Sequence, residues 1–327
     1  MNTQVAIAIG ASMVMISGGA DTLAATANTA PAQAAAVGYK SNTFHSTFSN
    51  DLQTSGSGSN QVNWYLDKWF TWPSTRPESI SIQPGEGITL TNGGDTSNYA
   101  IGTAAARKNN PPRHWVGKAF GGGAYFEAEI RFDFASVTQP TGAGFPSWWM
   151  MPVEHFADPR TDQWVGQAPG YEHFTEIDVF EYNQWKKHPY LYSGAVHEWY
   201  GVYKKTCVPN FCRVSNTNNG GSFNNFVIET PHASDFTQFH KFGLLWIPAT
   251  DTTKGYLQYY FDGVATDDRI TWDKFKNQPP PPDSAGWAFG VTDQLHFVLI
   301  LGTGNGQPMT VRSVDVWQSS GAQNIQN

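Results

Sequence analysis

His173-Phe174-Thr175-Glu176-Ile177-Asp178-Val179-Phe180-Glu181-Tyr182 places three carboxylates within six positions, among Ile, Val and Phe. Acids are depleted in strands and seldom buried without a task, whereas Ile, Val and Phe favour both strands and burial. A strand with carboxylates on one face and apolar groups on the other floors a polar groove above a packed core. Side chains alternate with period two, so Glu176 and Asp178 share a face. Glu181 is five positions from Glu176 and has the wrong parity. One extra residue, a β-bulge between Asp178 and Glu181, returns it to the same side, and bulges are over-represented beside active sites.

Outward from this stretch the chain reads as short strands joined by tight turns. Ser41 to Asn60 is turn-rich, and Ile80 to Leu90 is punctuated by Pro84-Gly85 and Gly87. The clearest alternation sets Phe126, Ala128, Ile130, Phe132 and Phe134 against Tyr125, Glu127, Glu129, Arg131 and Asp133. One apolar and one charged face is the pattern of a half-buried antiparallel strand. Phe239 to Ile247 is apolar on both faces and suits a central strand. Tyr256 to Phe261, Asp262-Gly263 and Val264 form a hairpin with a preferred turn pair, which makes Asp262 a turn residue. Leu295 to Leu301 and Met309 to Trp317 supply the last pair of strands, and Pro279 to Pro282 makes a stiff surface loop. No long helical period and no solenoid repeat interrupts this series. Many short strands with regular turns indicate a two-sheet sandwich.

The chain has 327 residues, enough for one large β domain. Aromatics make up 14% with 13 Trp, and charged residues only 14%. That many rings exceed what a core alone requires and suit a groove in which sugar rings stack on indoles. The net charge of −7 argues against nucleic acid or an anionic membrane surface as partner. Residues 1–36 differ from the rest: Val5 to Ile16 is apolar, and Ala20 to Ala36 is rich in Ala and Thr without Lys or Arg. This reads as a signal peptide with a flexible leader, leaving 37–327 as a single domain that is secreted or periplasmic. The apolar run is too short for a membrane anchor. In an exported chain the lone pair Cys207 and Cys212, in Cys-Val-Pro-Asn-Phe-Cys, most simply forms a disulfide.

Glu-Ile-Asp-Val-Phe-Glu resembles the Glu-x-Asp-x-x-Glu signature of glycoside hydrolase family 16 in its bulged, laminarinase-like form. Gly144 to Pro152 is similar to the family's Gly-x-Trp-Pro-Ala-x-Trp-Leu-Leu-Pro strand, and Gly123 to Ile130 to its Tyr-Gly-x-Phe-Glu-Ala-Arg-Ile strand. Val196-His197 falls where the family carries a groove histidine, and Met309 to Gln318 resembles its closing strand. The departures are Thr175 for Gly, Phe145 for Trp, Gly302 for Asn, and Arg312 and Asp315 for an Asp and an Arg. None touches the carboxylates. The resemblance implies an all-β, concanavalin-like jelly roll with a concave substrate cleft. It also implies a retaining endo-β-glycanase, with β-1,3-glucan as the first substrate to test and galactan hydrolysis or transglycosylation as alternatives. A non-catalytic carbohydrate-binding lectin is the alternative from another class, and it would need no second Glu.

By the same resemblance Glu176 is the nucleophile and Glu181 the acid/base, with Asp178 between them. A retaining mechanism asks for one ionised and one protonated carboxyl about 5 Å apart. Trp149 matches the family's groove position. His197 is a candidate polar groove contact, and Trp164, Trp185 and Trp199 are candidate sugar platforms. The partner is then a polysaccharide. No cofactor is required and no metal is expected at the carboxylates, because calcium takes six to eight oxygens, usually from a Gly- and Asn-rich loop. The resemblance allows a structural calcium elsewhere.

Overall fold

The computed structural model describes residues 29–53, 62–66, 77–91, 99–106, 115–133, 145–157, 171–182, 190–204, 212–214, 221–275, 289–303 and 308–326. These form a β-sandwich. One sheet runs, in spatial order, Val264–Trp272, Gly255–Phe261, His240–Ile247, Ala124–Phe132, Met309–Gln318, Gly87–Leu90 and Ile80–Gln83, with Ser41–Ser46 also paired to Met309–Gln318. The other runs Cys212–Val214, Leu191–Lys204, Tyr171–Glu181, Ser147–Pro152, Phe297–Thr303, Tyr99–Gly102, Trp64–Tyr65 and Leu52–Gln53, with Gly221–Glu229 paired to Leu191–Lys204. A small third sheet joins Ile325–Gln326, Trp115–Ala119 and Ala104–Ala106.

Aromatic side chains from both sheets interlock between them. Phe180, on the strand of the three carboxylates, lies 4.3 Å from Phe242 and 5.5 Å from Phe132 by ring centroid. Both of those rings belong to the other sheet, and Trp246 meets Phe297 edge-on at 5.5 Å. Each buried ring contributes roughly 2–3 kcal/mol by removing apolar surface from water. The sheet carrying the carboxylates is thus pinned from behind. Asp262 (φ 48°) and Gly263 (φ 77°) make the expected tight turn between Gly255–Phe261 and Val264–Trp272. Asp262 accepts hydrogen bonds from His240 Nδ1 and the Lys241 amide, as a turn residue does.

Four expectations need correction. Ala32–Ala36, placed in a flexible leader, is a short helix whose Ala34 is fully buried against Tyr39, Tyr125, Leu245 and Trp317. The ordered unit therefore begins before residue 37, because small side chains let this turn lie close on the sheet. It also covers part of the face expected to be charged and solvated. Tyr125 is buried, receives a bond from Gln33 and donates to Glu127 at 2.9 Å, while Glu127 is itself buried. Ser41–Ser46, expected among turns, is a strand beside Met309–Gln318, held by buried Phe44 against Trp64 and Phe120. The last two strands do not pair with one another: Phe297–Thr303 and Met309–Gln318 lie in opposite sheets. Arg312 pairs with Glu129 at 2.8 Å across neighbouring strands. Asp315 likewise meets His45 and Asn42.

Residues 1–28, with the expected signal peptide, lie outside the described residues, as do Cys207, Trp164, Trp185, Phe134 and the Pro279 to Pro282 loop. Among the described residues no helix is long and apolar enough to cross a membrane.

Candidate active site

The Tyr171–Glu181 strand lies between Leu191–Lys204 and Ser147–Pro152. Its register against Leu191–Lys204 is regular from Tyr171↔Val202 to Asp178↔Ala195 and resumes at Glu181↔Ser193. Two residues, Val179 and Phe180, thus oppose the single Gly194, so the carboxylate strand carries the extra residue of a β-bulge. Against Ser147–Pro152 the same irregularity falls between Trp148↔Phe180 and Trp149↔Asp178. The bulge turns Phe180 and Tyr182 into the core, where both are fully buried, and returns Glu181 to the face of Glu176 and Asp178.

Cross-strand partners share a face, which fixes the surroundings of the trio. Glu181 is flanked by Ser147 and Ser193, Asp178 by Trp149 and Ala195, and Glu176 by His197. Asp178 is buried, while Glu176 and Glu181 keep partial exposure to the groove. Trp199 Nε1 donates to Glu176 Oε2 at 2.8 Å, and His197 Nε2 lies 3.2 Å from Asp178 Oδ2. The His197 and Trp199 rings lie side by side, 5.5 Å apart and 12° from parallel. Trp149 shares the groove face but is only 7% exposed, so most of its ring serves packing, while Trp148 points into the core.

Burial raises all three acids, and neighbouring carboxylates add to the rise of Glu176 and Glu181. Glu176 is pushed up to about 7, first by burial and then by Asp178, with His197 and the Trp199 hydrogen bond opposing. Burial drives Asp178 upward. Glu181 is raised furthest, by burial and then by the charges of Asp178 and Glu176. The cluster thus orders its acids, with Glu181 holding its proton most firmly and Glu176 supported by the Trp199 hydrogen bond and the nearby His197. Such a split between neighbouring carboxyls is what separates an acid from a nucleophile.

Two contacts could not be found from the local sequence. Tyr259, on the opposite sheet, sends its hydroxyl to the main-chain carbonyls of Asp178 and Ala195 at 3.2 and 3.1 Å. It braces the bulge from inside the core. Gly194 leaves room for it, since a Cβ there would stand 2.6 Å from the Tyr259 ring. Behind Glu176, on the core face, buried His173 meets Glu198 at 2.7 Å and so ties the two central strands together. Only the three-residue spacing from Asp178 to Glu181 signalled any of this, through the bulge.

No family model and no curated protein matches the chain. Among solved structures it is similar to an endo-1,3-β-glucanase from Streptomyces sioyaensis, at 18% identity over 88% of this chain and 97% of that one, TM-score 0.45. A glycoside hydrolase family 16 endo-glucanase from Bacteroides ovatus follows at 14% identity, 84% and 99% coverage, TM-score 0.43. Peanut lectin aligns at 12% identity, 87% and 98% coverage, TM-score 0.35. At such similarity neither activity nor family passes from these proteins to this chain.

Proposed function

We propose that this protein is an exported retaining endo-β-glycanase of glycoside hydrolase family 16, acting on a polysaccharide and first on β-1,3-glucan. The observation that carries the reading is the bulge at Val179-Phe180, which sets Glu181 on one groove face with Glu176 and Asp178. A lectin needs no such trio.

In the first step a Glu176 carboxylate oxygen attacks the anomeric carbon while Glu181 gives its proton to the departing glycosidic oxygen. Trp199 Nε1–H, a donor only, favours the ionised Glu176 that this step requires. Forming the glycosyl ester removes the Glu176 charge, and with it one of the charges that hold the Glu181 proton. Glu181, which gave up its proton in the first step, is thereby eased as a carboxylate and accepts a proton from water as that water attacks the anomeric carbon and the Glu176 ester bond breaks. Asp178, buried between the two, modulates both through its charge and is held by His197.

Release of reducing ends from laminarin, mixed-linkage β-glucan, agarose and carrageenan tests the proposal. Fastest hydrolysis of laminarin is expected. Cleavage of a galactan alone would keep the mechanism and change the substrate. Binding of a polysaccharide with no reducing ends from any would replace the enzyme by a lectin.

A further inference from the structure

The carboxylates of Glu176 and Asp178 and the imidazole of His197 each offer one donor atom, and these atoms lie within 4.8 Å of one another. Nitrogen and carboxylate oxygen together form a donor set suited to zinc and its neighbours, whereas calcium and magnesium take oxygen alone and more of it. The distance from His197 Nε2 to Asp178 Oδ2 is 3.2 Å. Ligands about 2.0–2.1 Å from a tetrahedral zinc stand roughly 3.3 Å apart. The His197–Asp178 pair stands near the spacing of one edge of such a figure, and the third donor atom, on Glu176, lies within 4.8 Å of both.

The donors are also braced as metal ligands usually are. Trp199 holds Glu176 Oε2 at 2.8 Å and lies alongside the His197 ring. Among the described residues no Lys or Arg forms an ion pair with Glu176 or Asp178, so a cation would meet no competing positive side chain on those two ligands. Other buried carboxylates lack this freedom. Asp293, for instance, is saturated by Trp246 Nε1, Trp272 Nε1 and the Ala249 amide. The partial exposure of Glu176 and His197 leaves a fourth position facing the groove. Three protein ligands and one open position are what a reversible zinc site needs.

We propose that Glu176, Asp178 and His197 bind a zinc-class divalent cation, and that the bound ion switches the enzyme off by occupying the nucleophile. The binding site stands independently of the glycanase reading, and only the inhibition rests on it. A cation on Glu176 removes the free oxygen that attacks the sugar and blocks its approach, so inhibition should be relieved by a chelator.

Zinc chloride is titrated into the untagged full chain against a chromophoric zinc chelator, with no sugar present. One equivalent should bind, and Glu176→Gln and His197→Phe should each weaken binding at least tenfold, while calcium fails to compete. Cobalt(II) added to the unaltered chain should give the intense visible bands of four- or five-coordination, a readout that no variant's folding can spoil. Binding unchanged in both variants, binding moved instead to Cys207 and Cys212 as shown by Cys→Ser replacement, or a cobalt spectrum of the hexa-aqua ion would overturn the site. Hydrolysis is measured separately on chelator-treated protein. Failure there removes the glycanase reading and leaves zinc binding to stand or fall on its own data.

Discussion

Trp199 and Glu176 are joined by a 2.8 Å hydrogen bond from the indole N–H to a carboxylate oxygen, across neighbouring strands of the groove sheet. Trp199 reads in the sequence as a candidate sugar platform, and its polar edge also supports the candidate nucleophile. Burial and Asp178 raise Glu176 to about 7, and this bond, with His197, keeps it from rising further. Trp199→Phe keeps a ring and deletes the donor. A hydrogen bond to a charged group contributes about 1.5–3 kcal/mol, so kcat/KM should fall roughly 10- to 100-fold. The acid limb of the pH–rate profile should move upward. A loss of activity with an unmoved acid limb would assign Trp199 to sugar contact alone.

Tyr259 supports the bulge from the other sheet. Tyr259→Phe leaves the carbonyls of Asp178 and Ala195 without that donor. The change should cost about 1–2 kcal/mol of stability, read as a lower urea midpoint at constant m value. Because the bulge alone brings Glu181 to the groove face, kcat should fall as well. An unchanged kcat with lowered stability would show that the bulge holds its shape without this brace.

The acid cluster should make the fold less stable as pH rises. A carboxyl whose folded pKa lies above its unfolded value takes up a proton on folding between the two, so stability declines with pH across that window. For Glu176 the window runs from its ordinary value of 4.5 to about 7, and for Glu181 it extends further upward. Glu176→Gln and Glu181→Gln remove an ionisable group that is raised on folding. Each should increase Tm at pH 8 by about 2 °C or more, with the gain vanishing near pH 4. A gain of the same size at both pH values would point to packing and not to charge.

How much of this was legible followed physical range. The bulge could be read because strand parity is local: Glu176, Asp178 and Glu181 cannot share a face without one inserted residue. The Asp262-Gly263 turn was legible for the same reason, since both residues take positive φ and few others do so cheaply. What stayed hidden depends on the second sheet. Tyr259 is 81 residues from Asp178, and nothing around Tyr259 marks it as a brace for a distant backbone. The outward face of Ala124–Phe132 alternates as a solvated strand should, yet Tyr125 and Glu127 are covered by a segment far earlier in the chain. Trp149 stands opposite Asp178, and its depth depends on neighbours the local pattern does not contain.

The assignment of roles within the trio gives the most discriminating prediction. Glu176→Ala should abolish hydrolysis of polysaccharide and of activated aryl β-glycosides alike, because no other group is placed to form the glycosyl ester. Glu181→Ala should also be inactive on polysaccharide, where the leaving sugar must be protonated. On an aryl glycoside with a good leaving group the first step needs no acid, so the glycosyl-enzyme should accumulate. Azide needs no general base, and adding it should restore turnover and yield a β-glycosyl azide, two inversions giving net retention. Measured by NMR, an α-azide product would reverse the order and name Glu181 as nucleophile. Absence of any rescue in a folded Glu181→Ala protein would remove Glu181 from acid/base duty and leave Asp178, buried beside His197, as the next residue to test.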